Sequence, residues 1–314
     1  MIVRHRVHPS VPLPGRTALS LVQAALKVDK KIAAKLIHDG AVNCQGKLIV
    51  QSHWKIDAGA EIEIEYAPQP RSTPKKKEKG KPGTQRFEIV HDDEELMVVN
   101  KPAGLLTVPS PHRENNTLRS QLQKWLDQKQ PGKQAICVHR LDRGVSGLLV
   151  FPKSENVAAQ LREQFSKRKP SRSYAAFVAG NKLEDSGSFR SYLATDEQTL
   201  NRYSVSAPKD GELAITHFEV KQRWTDVTLV TVRLETGRRN QIRVHLAEAE
   251  HPIIGDPRYR PEDAQHPNWP HKRIALHAQE LGFQHPVSGE KLQFIAPWPQ
   301  EFRSFRRKLQ ARRR

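Results

Sequence analysis

The chain has 314 residues, 37% hydrophobic and 27% charged, enough for one sizeable core and a smaller domain, and too apolar for a disordered chain. No run of about 18 apolar residues occurs, which excludes a membrane-spanning helix, and no apolar stretch follows the opening Met1–Arg6, so no secretory signal is expected. The formal net charge is +18, which suits a polyanionic partner.

In chain order, Thr17 is placed to cap a helix carrying Leu19, Val22 and Leu26 on one face. Asp29 is placed to cap a second helix that ends at Gly40. Its inward residues would be Ile32, Leu36 and Ile37, with Lys30, Lys31 and Lys35 on the solvent side. Strand-like Ala41–Cys44 and Leu48–Val50 flank a Gln45-Gly46-Lys47 turn, and Glu61–Tyr66 alternates as a half-buried strand does. Residues 1–66 are therefore expected to form a small α/β domain, a helical hairpin on a short sheet.

Residues 67–86 are rich in Pro, Gly and Lys and lack hydrophobic periodicity, the composition of a flexible linker. Seven Lys and Arg stand there against Glu78, for +6, and seven more stand against Glu301 in residues 301–314, again +6. Two short segments thus hold 12 of the 18 charges, and such clusters attract phosphates without regard to base sequence. The last segment is read as a basic tail that can extend a helix.

Between them, residues 87–300 mix strands and helices. Candidate strands are Phe87–His91, Met97–Val99, Gly147–Phe151, Tyr174–Val178 and Val227–Glu235. Thr117–Leu126 reads as a helix, and Ser154 is placed to cap another with Val157, Leu161 and Phe165 on one stripe. No regular βαβ beat appears, so an α+β domain around a largely antiparallel mixed sheet is expected. Cys44 and Cys137 lie too far apart for a C-x-x-C motif and read as reduced thiols of a cytoplasmic protein. His266-Pro267-Asn268-Trp269-Pro270-His271 lacks metal-ligand spacing, and no glycine-rich phosphate loop occurs, so neither a metal nor a nucleotide cofactor is expected.

The strongest local signal is His139-Arg140-Leu141-Asp142-Arg143-Gly144-Val145-Ser146-Gly147-Leu148-Leu149. Cationic neighbours favour the ionised carboxylate that a nucleophile or base needs. The glycines let the backbone turn and a ligand approach closely. By itself an Asp among arginines more often marks a surface ion pair.

The stretch closely resembles the H-R-L-D-x-x-T-S-G signature of RluA-type RNA pseudouridine synthases. Further segments resemble that family in the same order: Val99–Leu106, Arg172–Val178 with its K-x-Y-x-A-x-V pattern, Leu234–Arg238, Gln241–Leu246, His251–Asp256 and Ile274–Ala278. The likeness spans nearly all of residues 87–299. Residues 15–66 are similar to the small RNA-binding domain of the ribosomal-protein S-four type, although only Arg16 represents its Arg-rich opening.

These resemblances imply an enzyme that isomerises uridines in structured RNA, ribosomal RNA ahead of transfer RNA, with no cofactor. Asp142 would be catalytic, either adding to the sugar or abstracting a sugar proton. Arg243 would pair with Asp142, and Tyr174 would stack near the base. Arg140 would fill the gap left by the flipped base, and Lys30, Lys31 and Lys35 would contact RNA. A monomer is expected. Val145 stands where Thr is usual, Arg172 where Lys is, and Arg239-Asn240 where Thr-His is common.

Two other readings compete. The first is a catalytically inactive RNA-binding ribosome-assembly factor on the same fold. The second is a hydrolase, which would need two acidic groups with a water between them; no second acid is read for Asp142.

Overall fold

The computed structural model describes residues 2–6, 16–38, 40–49, 51–65, 87–109 and 115–311. The basic linker 67–86, the Lys31 side chain, Val50, Tyr66 and Arg312–Arg314 lie outside the described residues. The chain divides into two compact units, Met1–Lys79 and Gly80–Arg314. Among the described residues no helix is long and apolar enough to cross a membrane.

The first unit runs β1 (Ile2–Arg6), α1 (Ala18–Leu26), α2 (Lys30–His38), β2 (Val42–Cys44), β3 (Lys47–Ile49) and β4 (Glu61–Glu65). Its antiparallel sheet has the order β1-β4-β2-β3. Thr17 Oγ1 accepts from the Ser20 N–H at 3.2 Å and Asp29 from the Ile32 N–H at 2.8 Å, so each cap satisfies one otherwise orphaned donor. The inward face of α2 differs from expectation: Ala33 and Ile37, four residues apart, are fully buried, whereas Ile32 is 42% exposed. One residue of helix turns a side chain through about 100°, enough to carry Ile32 off the packed stripe. Strand β1 was not anticipated. It pairs along its length with β4, Ile2 opposite Glu65 and Arg6 opposite Glu61.

The second unit contains β5 (Glu88–Asp92), β6 (Leu96–Lys101), α3 (Leu118–Lys129), β7 (Ser146–Pro152), α4 (Glu155–Ser166), β8 (Ser171–Ala179) and β9 (Ser186–Thr195). It continues with β10 (Arg202–Val205), β11 (Glu212–Arg223), β12 (Val227–Leu234), α5 (Gln241–Glu248), β13 (Leu276–Gln284), β14 (Lys291–Ile295) and α6 (Gln300–Ala311). Its strands form one sheet in the order β10-β9-β11-β12-β8-β13-β7-β6-β5, with β14 on the far half of β13. Pairing is antiparallel except between β7 and β13, which gives the expected α+β class.

Strands β6 and β7 are buried on both faces, hence their continuous apolar runs. Met97, Val99, Leu149 and Phe151 pack with Leu118, Leu122 and Leu126 of α3 on one side. Leu96, Val98, Leu148 and Val150 pack with Val157 and Leu161 of α4 on the other. The segment read as a basic tail is part of the core: α6 buries Phe302, Phe305 and Leu309, and Phe305 meets Phe177 edge-on at 5.0 Å.

One cross-sheet row places the chemistry. Lys101 on β6 lies opposite Gly147 on β7, Gly147 opposite Ala278 on β13, and Ala278 opposite Tyr174 on β8. The parallel pairing of β7 with β13 thus leaves one strand, β13, between the start of β7, where the Asp142 loop ends, and the strand that holds Tyr174.

Candidate active site

The loop bearing Asp142 is clamped from both directions. The Gly104 N–H donates to the Arg143 carbonyl at 2.7 Å, and the Thr107 hydroxyl donates to the Leu141 carbonyl at 2.8 Å while accepting from the Leu141 N–H at 3.2 Å. Behind it, His139 is stacked on Phe165 with ring centroids 4.7 Å apart, and its Nε2 accepts from the Val150 N–H at 3.0 Å. Burial, reinforced by the positive Arg172, pushes the His139 imidazole down to about 3, so it stays neutral and keeps that lone pair at ordinary pH. With the loop fixed, the Asp142 side chain stands 23% exposed in a cleft of about 640 Å³.

Arg243, on α5, reaches the same cleft. Its Nη1 donates to Asp142 Oδ2 at 2.9 Å. Its Nε and Nη2 donate to the two oxygens of Asp256 at 2.7 and 2.8 Å, a bidentate pair in which the Asp256 side chain is fully buried. Asp256 also accepts from the Arg258 and Tyr259 N–H groups, so a turn of backbone holds it in place. Burial opposes the charge on Arg243, but the hydrogen bonds and charge of Asp256, then of Asp142, hold its pKa above the ordinary arginine value.

Helix α5 owes its position to polar anchors. Gln241 donates to Thr216 Oγ1 and to the Ile215 carbonyl, both at 2.9 Å, and accepts from Thr236 at 2.8 Å. Asn240 sits at φ +57°, the left-handed conformation that Asn tolerates. It accepts from Arg243 at 3.3 Å and donates to the Tyr259 hydroxyl at 3.0 Å, so this departure from the family pattern steadies the arginine. Val145, the other noted departure in the loop, is buried at 2% exposure and packs in the core.

Tyr174 lines the cleft and is 8% exposed. Burial raises its phenol pKa, Arg172 opposes that, and Asp142 adds to it. Arg140 is exposed on the rim and has no hydrogen bond or ion pair among the described residues. Lys30 and Lys35 lie exposed on α2 in the first unit, which is described separately from this cleft.

Sequence reasoning missed two residues. Asp256 was quoted within a matched segment yet not recognised as a second acid. Both its oxygens are committed to Arg243, so it is not the free carboxylate that a hydrolytic pair with a water between would use. Lys101 is fully buried, donating to the Leu105 carbonyl at 2.7 Å and the Pro102 carbonyl at 3.0 Å. Burial pulls its pKa down to about 7, with Asp142 opposing and Arg273 reinforcing. A lysine ending an apolar strand was the available signal.

His266 donates from Nε2 to the Asp226 carboxylate at 3.2 Å and packs edge-on against Phe305, and among the described residues no cluster of three or more metal-ligating side chains occurs.

A cleft with one accessible carboxylate, a buried phenol and a guanidinium fixed by a second carboxylate suits chemistry on a single bound group. The family described as RNA pseudouridylate synthase matches residues 95–248, the stretch that contains Asp142, Tyr174 and Arg243. An uncharacterized RNA pseudouridine synthase of Bacillus subtilis is 34% identical over 84% of each chain. The ribosomal large subunit pseudouridine synthase D of Zymomonas mobilis is 33% identical over 90% of each. Among solved structures, human RNA pseudouridylate synthase domain containing 4 superposes with a TM-score of 0.58 at 21% identity, covering 71% of this chain and 93% of its own, a likeness of fold. Fold, motif order and sequence identity agree, and the chain belongs to the RNA pseudouridylate synthase family and is an RNA pseudouridine synthase.

Proposed function

We propose that the chain isomerises selected uridines of ribosomal RNA, in preference to transfer RNA, with Asp142 as the reacting carboxylate. The observation that carries this reading is the Asp142–Arg243–Asp256 chain, which leaves one carboxylate open to the cleft beside Tyr174. In the reaction the bond from ribose carbon 1 to uracil nitrogen 1 breaks and the base turns. Ring carbon 5 then joins ribose carbon 1, carbon 5 loses its proton, and nitrogen 1 gains one. Arg243 orients Asp142 through its charged hydrogen bond. Tyr174 packs against the base and helps move the carbon 5 proton. No metal or cofactor enters the proposal.

The preference for ribosomal RNA is supported by the relative named for the large ribosomal subunit and by the first unit, read as an RNA-binding domain with Lys30 and Lys35 exposed on α2. Pseudouridine mapping in cells with and without the gene tests it. Sites lost from ribosomal RNA support the proposal; sites lost only from transfer RNA would move the substrate there.

Arg140 is proposed to stack in the gap left by the flipped uridine, since its guanidinium is planar, charged and exposed at the rim, with no hydrogen bond or ion pair among the described residues. Extracting a stacked base costs a few kcal/mol, and less when it is already unstacked. Arg140→Ala should therefore slow single-turnover reaction on a structured RNA roughly tenfold more than on a flexible one, one such factor corresponding to about 1.4 kcal/mol. Equal losses on both would assign Arg140 to orienting the loop.

A further inference from the structure

A second buried cation of the cleft has no part in the reading above. Arg172 lies on β8 two positions before Tyr174, so both side chains project from one face of the strand, and both line the cleft. It is 9% exposed. Its guanidinium rests over the Phe165 ring, 5.5 Å from the centroid. Gly237 makes room for it, since a β-carbon at 237 would come within 2.4 Å of Nη1.

Little holds the charge there. Nη2 reaches the Glu235 carbonyl only at 3.4 Å, beyond a good hydrogen bond, and among the described residues Nε has no acceptor. Among the described residues no carboxylate pairs with Arg172. The Glu235 carboxylate is taken by Arg168 at 2.6 Å and lies 3.4 Å from His217. Two other cations of the cleft do have carboxylate partners, Arg243 in Asp142 and Asp256, and Arg238 in Glu212 at 2.9 Å. A buried guanidinium with an unfilled Nε and no carboxylate partner among the described residues is unfavourable until an anion arrives.

We propose that Arg172 binds one backbone phosphodiester of the RNA strand beside the uridine that enters the cleft. The proposal rests on the reading of this cleft as the RNA site. Each nucleotide brings one full negative charge, and a planar guanidinium matches two phosphate oxygens at once. The Asp142 carboxylate repels the phosphates flanking the nucleotide it must reach, and a cation in the same cleft offsets that repulsion.

Two measurements on the full chain test this without needing turnover. In the first, the Arg172 Nε–Hε resonance, assigned by its loss in Arg172→Lys, is followed as inorganic phosphate is added at constant ionic strength. A saturable shift absent with chloride is expected. In the second, binding of a single-stranded oligouridylate is measured against salt. Arg172→Gln should reduce the log–log slope by about 0.7, one phosphate on a single strand, while Arg172→Lys keeps it. An unchanged slope with folded Arg172→Gln would overturn the proposal. So would a phosphate-insensitive resonance with turnover lost at unchanged binding, which would place the cation on the detached base instead. If Arg172→Gln does not fold, the phosphate titration of the unaltered chain decides. Absence of pseudouridine would sink the functional reading yet leave both binding results standing.

Discussion

Asp142→Asn is expected to lower the rate of pseudouridine formation by roughly 10⁴-fold or more, the scale on which loss of a reacting group acts. RNA binding should persist and tighten slightly, because the change removes a negative charge from a cleft that must accept phosphates. The fold should be kept. Asp142 is partly exposed, and Arg243 retains both bonds to Asp256 when residue 142 becomes a neutral amide. Single-turnover rates and filter binding on the same RNA check both halves. Near-normal turnover would remove Asp142 from the chemistry, and lost binding with lost turnover would make it a structural residue.

Gly147→Ala is expected to cost roughly 2–6 kcal/mol of stability. Gly147 sits at φ +122°, and a β-carbon there would lie 2.2 Å from the Ala278 carbonyl oxygen and 2.6 Å from its nitrogen. Both obstacles are backbone of β13, at the one parallel pairing in the sheet, so neither can swing aside as a side chain can. Overpacking costs about 1–3 kcal/mol and backbone strain about as much again. Gly104→Ala separates the two contributions: φ is +87° but among the described residues no atom beyond its chain neighbours lies within 4 Å of the added carbon, so only strain, about 1 kcal/mol, should appear. Denaturant midpoints at constant slope read the difference. Equal shifts for the two variants would deny the close approach its importance.

Local signals carried much of the architecture. The caps read at Thr17, Asp29 and Ser154 each accept a backbone N–H as their residue types and positions require, while Thr117, read as the first residue of a helix, is its cap. Strands β6 and β7 announced themselves because burial on both faces demands apolar residues throughout. Strand β9 did not. Its Ser-Gly-Ser-Phe-Arg-Ser-Tyr-Leu-Ala-Thr run is mostly half-exposed, so nothing forces an alternation. Ile2–Arg6 owes its strand character to a partner some sixty residues away. Helix α5 has no capping side chain and is buried nearly all round, which erases the amphipathic stripe.

The site was legible where a motif holds it and obscure where only space does. The loop around Asp142 stands out as a run of residues, whereas Asp256, Asn240 and Lys101 acquire meaning from what they touch. Asp256 lies 13 positions beyond Arg243, a spacing that no regular element turns into a contact. Lys101 looks like an ordinary strand end until its ammonium is found buried on two carbonyls.

Release of the carbon 5 hydrogen tests the central claim most directly. Ribosomal RNA lacking its modifications and labelled with tritium at uracil carbon 5 is incubated with the purified chain, then with Asp142→Asn. The account predicts tritium passing to water with the unaltered chain, no free uracil, and neither product with Asp142→Asn. Free uracil in proportion to the tritiated uridines consumed, or tritium release that survives Asp142→Asn, would contradict it.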